Sequence, residues 1–309
     1  MSSRATQKVV VLMGGLSLER DVSLLSGRCC AAALREKEEF EVVELDAGLD
    51  LCEKLSALNP DIVFNSLHGR WGEDGCVQGV LEWLRIPYTH SGVYTSALAM
   101  NKEKTKVAYK RADLPFPNSI LLHKDRILAE NTIELPYVVK PVNEGSSVGV
   151  HIVDNENNSH LSFLKEMPEI VMVEEYVPGR ELTTTVIGSN ENSRALLVTD
   201  IQTEGWYNYE AKYIKGGSHH HLPADIPRKI SDLCLSYALT AHRELGCRGI
   251  SRTDFRWNEA KGEKGLVLLE TNTQPGMTPT SLAPEQAIFD GISLRDLCVL
   301  LIKDASCDR

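Results

Sequence analysis

The sequence predicts an α/β protein that opens on a parallel sheet and continues into a mixed, antiparallel second part. Three observations lead there. The first hundred residues alternate short apolar runs with amphipathic stretches, the pattern of strand–helix units that build a parallel sheet covered on both faces. After LPFPNS (114–119) strand-like segments follow one another closely, which favours antiparallel pairing. Two late segments, GISRTDFRW (249–257) and GLVLLETNTQPG (265–276), are apolar-flanked runs that carry acids where core strands stay apolar.

Taken in order, Val9–Met13 reads as a strand, Asp21–Arg35 as a helix and Glu41–Leu45 as a strand. Asp61–Leu67 is a further strand, Gly75–Leu84 a helix and Ile86–His90 a short strand. Ligands of such sheets sit at the carboxyl ends of the strands, here MGGLSLERD and NSLHGRWGEDG. One helix is expected over 95–112, ended by the two prolines of LPFPNS. Pro136–Pro141, Val148–Val153 and Ile170–Val177 read as strands, with a helix near Asn157–Lys165; Leu182–Ile187 and Ala195–Ile201 continue the pattern. The stretch 205–225, polar and aromatic without periodicity, has the length of a functional lid. Ile226–Leu245 shows the clearest helical period, and Pro284–Phe289 and Ser293–Lys303 close the chain as helices.

Bulk properties exclude several classes. At 309 residues the chain exceeds one ordinary core. Its net charge of −10 disfavours nonspecific binding to nucleic acid or anionic membrane. No window holds the roughly 18 apolar residues of a membrane span, and the short apolar run after the N-terminus reads as a buried strand rather than a signal peptide. Eight cysteines are scattered with no CxxC pair, the usage of reduced thiols in a cytoplasmic protein.

Candidate chemistry concentrates in a few stretches. In VVKPVNEGSSVGVHIV (138–153) Lys140 precedes a loop of small residues between strands. Backbone N–H groups there can approach phosphate oxygens, with Lys as a point charge; the order of residues excludes a Walker loop, and a plain flexible hairpin stays open. In VMVEEYVPGRE (171–181) a strand end can meet an adenine edge and Glu181 the ribose hydroxyls, or the glutamates are simply solvated. Glu270 and Asn272 share a strand face, as do Arg252 and Asp254. Asp254, Glu270 and Asn272 form a hard oxygen set suited to Mg²⁺ on nucleotide phosphates; the other reading is a carboxylate paired with a neighbouring Arg. Arg252 can stabilise charge developing on a carbonyl or phosphoryl group. Ser17 can cap a helix whose first turn holds Glu19, an acid that either answers the helix dipole or holds a substrate ammonium. His68 ends a strand at the ligand edge and can orient a substrate carboxylate. His219, His220 and His221 read as a solvent-exposed loop rather than a metal site. With no GxGxxG, a dinucleotide fold is disfavoured.

The strings GGLSLERDVSLLSG, LHGRWGEDG, IPYTHSGVYTSALAMNK, YVVKPVNEGSSVGV, YEAKY, GCRGISRTDF and LETNTQPGMTPTSL, in this order and spacing, resemble the D-alanine–D-alanine ligase family of the ATP-grasp superfamily along nearly the whole chain. The resemblance implies a Rossmann-like N-terminal domain (1–100), a central ATP-grasp lobe (101–181) and a C-terminal lobe with lid and metal site (182–309). It implies a cytoplasmic homodimer that uses ATP with Mg²⁺, two ions by family pattern and replaceable by Mn²⁺, to join two D-alanines through a D-alanyl phosphate for peptidoglycan synthesis. By motif, Lys102 and Lys140 match phosphate binders; Glu174, Glu175, Val177 and Glu181 the adenosine stretch; and Lys212 the lid lysine. Asp254, Glu270 and Asn272 match the metal ligands. Glu19, Ser146 and Tyr213 match a hydrogen-bonded set, and Arg252 and Gly276 the oxyanion stabilisers. Ser281 and Leu282 match contacts to the second substrate, and His68 lies in a matching motif. Tyr213, where D-lactate-using relatives carry Phe, implies an amine acceptor. Pro279 and the lid histidines depart from the family pattern.

Overall fold

A computed structural model of the chain describes residues 6–127, 134–145, 148–154, 158–203 and 219–307. The expected positions Ser146, Lys212 and Tyr213, and most of the stretch 205–225, lie outside the described residues.

The N-terminal part is built on β1 (Gln7–Met13), β2 (Phe40–Asp46) and β3 (Ile62–Asn65), parallel in the order β2-β1-β3. The run VVVLM is apolar throughout because both of its faces are covered. Val9, Val11 and Met13 pack with α1 (Arg20–Arg35) and the C-terminal helix, while Val10 and Leu12 join a second core with Leu55, Leu81 and Tyr88. Alternation along the strand thus serves two cores at once.

α2 (Leu51–Leu58) was not legible beforehand: it is two turns long and buries only Leu55, too little for a periodic signal. α3 (Cys76–Trp83) follows the expected course. Ile86–His90 is not a strand; Tyr88 alone bridges Val63 and Ser306. The single helix expected over 95–112 is two, α4 (Val93–Met100) and α5 (Lys102–Arg111). Asn101 between them is extended, and its side chain accepts from the Lys104 N–H at 3.0 Å. Asn competes for backbone groups at helix starts, so it ends one helix and caps the next. This puts Lys102 at the first position of α5.

A four-stranded antiparallel sheet has the order β4-β7-β5-β6, from β4 (Ser119–His123), β5 (Tyr137–Pro141), β6 (His151–Val153) and β7 (Ile170–Glu175). The edge strand β4 was hidden behind its prolines, and β6 is shorter than expected because Val148 and Gly149 form a turn. Asn158–Lys165 is 3₁₀ rather than α-helical.

A five-stranded sheet, β10-β9-β8-β11-β12, comprises β8 (Arg180–Ile187), β9 (Arg194–Gln202), β10 (His219–His221), β11 (Ile250–Trp257) and β12 (Leu266–Asn272). The three histidines are therefore not a loop. They pair antiparallel with β9, and His220 Nδ1 lies 2.6 Å from Glu285 Oε2. α6 (Arg228–Glu244) covers this sheet, and Tyr109 of α5 joins its core of Leu182, Val186, Phe255 and Leu268. α7 (Leu282–Phe289) and α8 (Leu294–Asp304) return the chain to β1.

Candidate active site

The register of β11 and β12 assembles the chemistry. Arg252 lies opposite Asn272 and Asp254 opposite Glu270, and a bulge then shifts the pairing so that Phe255 faces Leu268. Directly opposed residues share a sheet face, with Cβ atoms about 5 Å apart. Four polar side chains thus stand on one patch, and two of them are acids that repel unless a cation intervenes. Arg252 supplies one: its Nε donates to Asp254 Oδ1 at 2.8 Å and its Nη2 to Oδ2 at 2.7 Å. Thr183, from β8, donates to the same Oδ1 at 2.6 Å. Lys102 Nζ lies 3.4 Å from Glu270 Oε2 and donates to the Glu144 carbonyl at 2.5 Å. Asn272 Oδ1 accepts from the Gln274 N–H at 2.7 Å. The carboxylate–Arg pairing left open by the sequence is formed at Asp254. No three of Cys, His, Asp and Glu gather as a metal group among the described residues; the set here is two acids and an amide, and its all-oxygen character suits Mg²⁺.

A second cluster lies between the sheets. Glu174 on β7 faces Val138, one diagonal step from Lys140 on β5. Its Oε1 is 2.5 Å from Lys140 Nζ and its Oε2 2.5 Å from Lys106 Nζ. Lys106 also donates to the Pro117 carbonyl and to Ser119 Oγ, both at 2.8 Å. Burial alone would raise the Glu174 pKa; the two ammonium groups outweigh it and hold the carboxyl below the usual carboxylate range. Glu174, expected at adenosine, is thus committed to two lysines. Beside it runs a narrow cleft of about 70 Å³ between Val138, Val150 and Leu269, with Glu175, Tyr176 and Val177 along its edge. Arg256 organises that edge: Nη1 is 3.2 Å from Glu181 Oε2, and Nε donates to the Val177 carbonyl at 3.1 Å.

A larger cavity of about 330 Å³ adjoins it, and Lys102, Glu144 and Glu270 line both. Glu19, His68, Arg252, Asn272, Gly276, Ser281 and Leu282 line it. Glu19, not Ser17, occupies the cap position of α1, but Ser17 Oγ accepts from the Glu19 N–H at 3.1 Å and donates to the His68 carbonyl at 2.7 Å. Gly69, at φ +67, passes so close that a Cβ would lie 2.7 Å from Glu19 Oε1. A Cβ on Gly276 would lie 2.8 Å from Ser281 Oγ, which bonds Thr278 Oγ1 at 2.7 Å. His68 is buried, with Nδ1 3.2 Å from Glu73 Oε1 and Nε2 3.0 Å from Ser26 Oγ. Burial pushes its pKa down, but the Glu73 and Glu19 carboxylates outweigh that, and the ring titrates above the ordinary imidazole value.

Within the described residues every expected position lines one cavity or both, Glu174 the narrow one. Lys106, Arg256, Glu73 and Gln274 were not foreseen. Lys106 stands four residues after Lys102 on one helix face, and Arg256 two after Asp254 on one strand face; those spacings were available signals. Thr183 had none.

Comparison with known proteins agrees. The family model described as D-ala D-ala ligase C-terminus matches residues 109–303, and that of the N-terminus residues 46–91. The D-alanine–D-alanine ligase of Ruegeria pomeroyi is 64% identical over 309 residues, covering 100% of this chain and 99% of the relative; that of Dinoroseobacter shibae is 60% identical with the same coverage. The crystal structure of D-alanine–D-alanine ligase from Bacillus anthracis complexed with ATP superposes with a TM-score of 0.78 at 28% identity, over 96% of this chain and 97% of that one. With matching models in both halves, relatives of this identity end to end, and the same fold, the chain belongs to the D-alanine–D-alanine ligase family.

Proposed function

We propose that the two cavities are the nucleotide and amino-acid halves of one ligase site, meeting where Lys102, Glu144 and Glu270 line both. That shared wall is the observation that carries the reading. The chain joins two D-alanines, with conversion of ATP to ADP, for peptidoglycan precursor synthesis. The first D-alanine carboxylate takes the terminal phosphoryl group, the second D-alanine amine attacks the acyl carbon, and phosphate leaves from the tetrahedral adduct.

Roles follow from position. The narrow cleft takes the nucleotide, with apolar walls for the base and Glu175, Val177 and Glu181 along its polar edge. Lys140 and Lys102 face the phosphates. Asp254, Glu270 and Asn272 would hold Mg²⁺, two ions by family pattern and Mn²⁺ in substitution, which neutralises phosphate charge when bound. Glu19 receives the ammonium of the first D-alanine and His68 orients its carboxylate, with Ser146 and Tyr213 assigned beside Glu19 by sequence match. Arg252 and the Gly276 N–H stabilise the oxyanion. Ser281 and Leu282 meet the second D-alanine, and Lys212 the nucleotide from the lid.

Units at 1–100, 101–181 and 182–309 are part of the proposal; the three sheets follow this division except that β8 of the third already begins at Arg180 and α5 lends Tyr109 to the third core. A cytoplasmic homodimer completes the proposal on family grounds; no described helix is long and apolar enough to cross a membrane.

Phosphate release with D-alanine, L-alanine, and D-alanine plus D-lactate tests the assignment. D-alanine alone should yield phosphate and dipeptide in equal amounts, L-alanine nothing, and D-lactate no new product at neutral pH. Phosphate without dipeptide would sink it.

The His68 role makes a further expectation. A raised pKa in the folded protein means that the protonated ring is the favoured form, and this advantage is lost as pH rises through that value. The KM for the first D-alanine should therefore climb as pH passes above the ordinary imidazole range. In His68→Gln the climb should vanish and KM should rise about tenfold, the loss of one charge-assisted hydrogen bond. An unchanged pH profile in the variant would remove His68 from substrate binding.

A further inference from the structure

Asn65 and Gln274 stand 209 residues apart in sequence and meet in the core: Asn65 Nδ2 donates to Gln274 Oε1 at 2.8 Å. Both are essentially without solvent contact, at 0% and 2% exposure. Burying two amides is costly unless every polar atom is satisfied, and here each side-chain nitrogen and oxygen of the pair has a partner. Asn65 Nδ2 also donates to the Gly72 carbonyl at 3.1 Å, and Asn65 Oδ1 accepts from the Leu67 N–H at 3.1 Å. Gln274 Nε2 donates to the Leu67 carbonyl, and the Gln274 N–H bonds Asn272 Oδ1 at 2.7 Å. Gln78 Nε2 reinforces the Gly72 carbonyl at 2.8 Å.

These bonds have one geometric consequence. The loop after β3, residues 66–75, carries His68. β12 ends on Asn272, and the loop after it carries Gln274 and Gly276. No ladder joins β3 to β12, which belong to different sheets. Apolar packing between two such loops would tolerate sliding, whereas a satisfied amide network fixes distance and direction together. Gln274 touches both segments, through the carbonyl of Leu67, the residue before His68, on one side and Asn272 on the other.

We propose that Gln274, locked by Asn65, is a positioning residue that sets the spacing between His68 and the Asn272–Gly276 segment, which line the amino-acid cavity where the acyl group reacts. The inference rests on the proposed roles of His68 and Gly276. It assigns the buried amide pair to the alignment of the first D-alanine, not to nucleotide binding, since His68, Asn272 and Gly276, the residues it would align, line the larger cavity and not the narrow cleft.

The experiment compares Gln274→Met, which keeps length and loses every amide bond, with Asn65→Ala, the double variant and His68→Gln. Thermal midpoint, ATP KM, first-site D-alanine KM and kcat are measured in the full chain. Gln274→Met should lower kcat/KM for D-alanine by about tenfold or more, as sub-ångström misplacement does, with ATP KM within about twofold of wild type, the change expected of a site whose contacts are untouched. Asn65→Ala should shift the same constants in the same direction by less, and the double variant should be no worse than Gln274→Met, because both act through one network. A lowered thermal midpoint with unchanged kinetic constants would make the pair purely structural and overturn the proposal, as would an equal rise in ATP KM. If both single variants fail to fold, the pair is a folding element and the proposal also fails. His68→Gln separates the two levels: a raised D-alanine KM there with none in Gln274→Met defeats only this inference, whereas no effect in His68→Gln defeats the underlying reading of His68.

Discussion

Glu270→Gln should lower D-alanine-dependent ADP formation by about a thousandfold, the scale reached when one preorganised electrostatic group is removed from a reacting centre, and leave the fold intact. The substitution is isosteric, and Glu270 keeps about 28% of its side chain exposed, so no cavity opens. What changes is charge. In wild type Glu270 opposes Asp254 across the β11–β12 ladder and lies 3.4 Å from Lys102. Asp254 is already held by both arms of Arg252, so Glu270 is the acid more available to a divalent cation. Removing it leaves Asp254 and Asn272 as an incomplete set and Lys102 without its carboxylate neighbour at the junction of the cavities. ADP formation over a Mg²⁺ titration and a thermal melt decide the matter. Near-normal turnover at saturating Mg²⁺ would withdraw Glu270 from the ligand set; a large fall in melting temperature would mean that its role is structural.

Glu174→Gln is the change expected to cost most in stability. The wild-type carboxylate is sealed between Lys106 and Lys140 at 2.5 Å from each. The amide leaves two ammonium groups facing each other in the interior, and breaking a buried pair in this way costs about 3–5 kcal/mol. The pH dependence has a definite sign. Glu174 has its folded-state pKa below the unfolded value, so the stability it adds is present above the unfolded carboxyl pKa and is lost as pH falls through the folded one. Wild type should lose stability steeply on acidification through that window, and the variant should start lower and lose less across it. Denaturant melts at a series of acidic pH values test this. Parallel pH profiles would show that Glu174 is not the group responsible. ATP KM should rise in the same variant, because Lys140 loses the partner that aims it along the cleft.

The elements most legible beforehand were those whose burial is local and periodic. The run Val9–Met13 announced a strand covered on both faces, and the helix of Arg228–Glu244 announced itself through its apolar stripe. α2 and β4 escaped because one buried leucine, or an edge strand after two prolines, leaves little pattern. The helix over 95–112 was drawn too long because its period continues through Asn101, and only the capping geometry shows the break. His219–His221 looked like a polar loop because an edge strand of three residues has no alternation to read.

For the site, strand spacing by itself determined that Arg252 shares a face with Asp254, and Glu270 with Asn272, and the quoted motifs by themselves determined the family. A side chain's direction follows from its own backbone, so such statements need no partner. Only the tertiary structure decided that Asp254 stands opposite Glu270, that Arg252 takes Asp254 with both nitrogens, that Lys106 and Lys140 converge on Glu174, and that Asn65 reaches Gln274. Each of those depends on strand order, register or helix docking. They are set by which apolar faces bury together across the whole chain, and no local spacing records that choice.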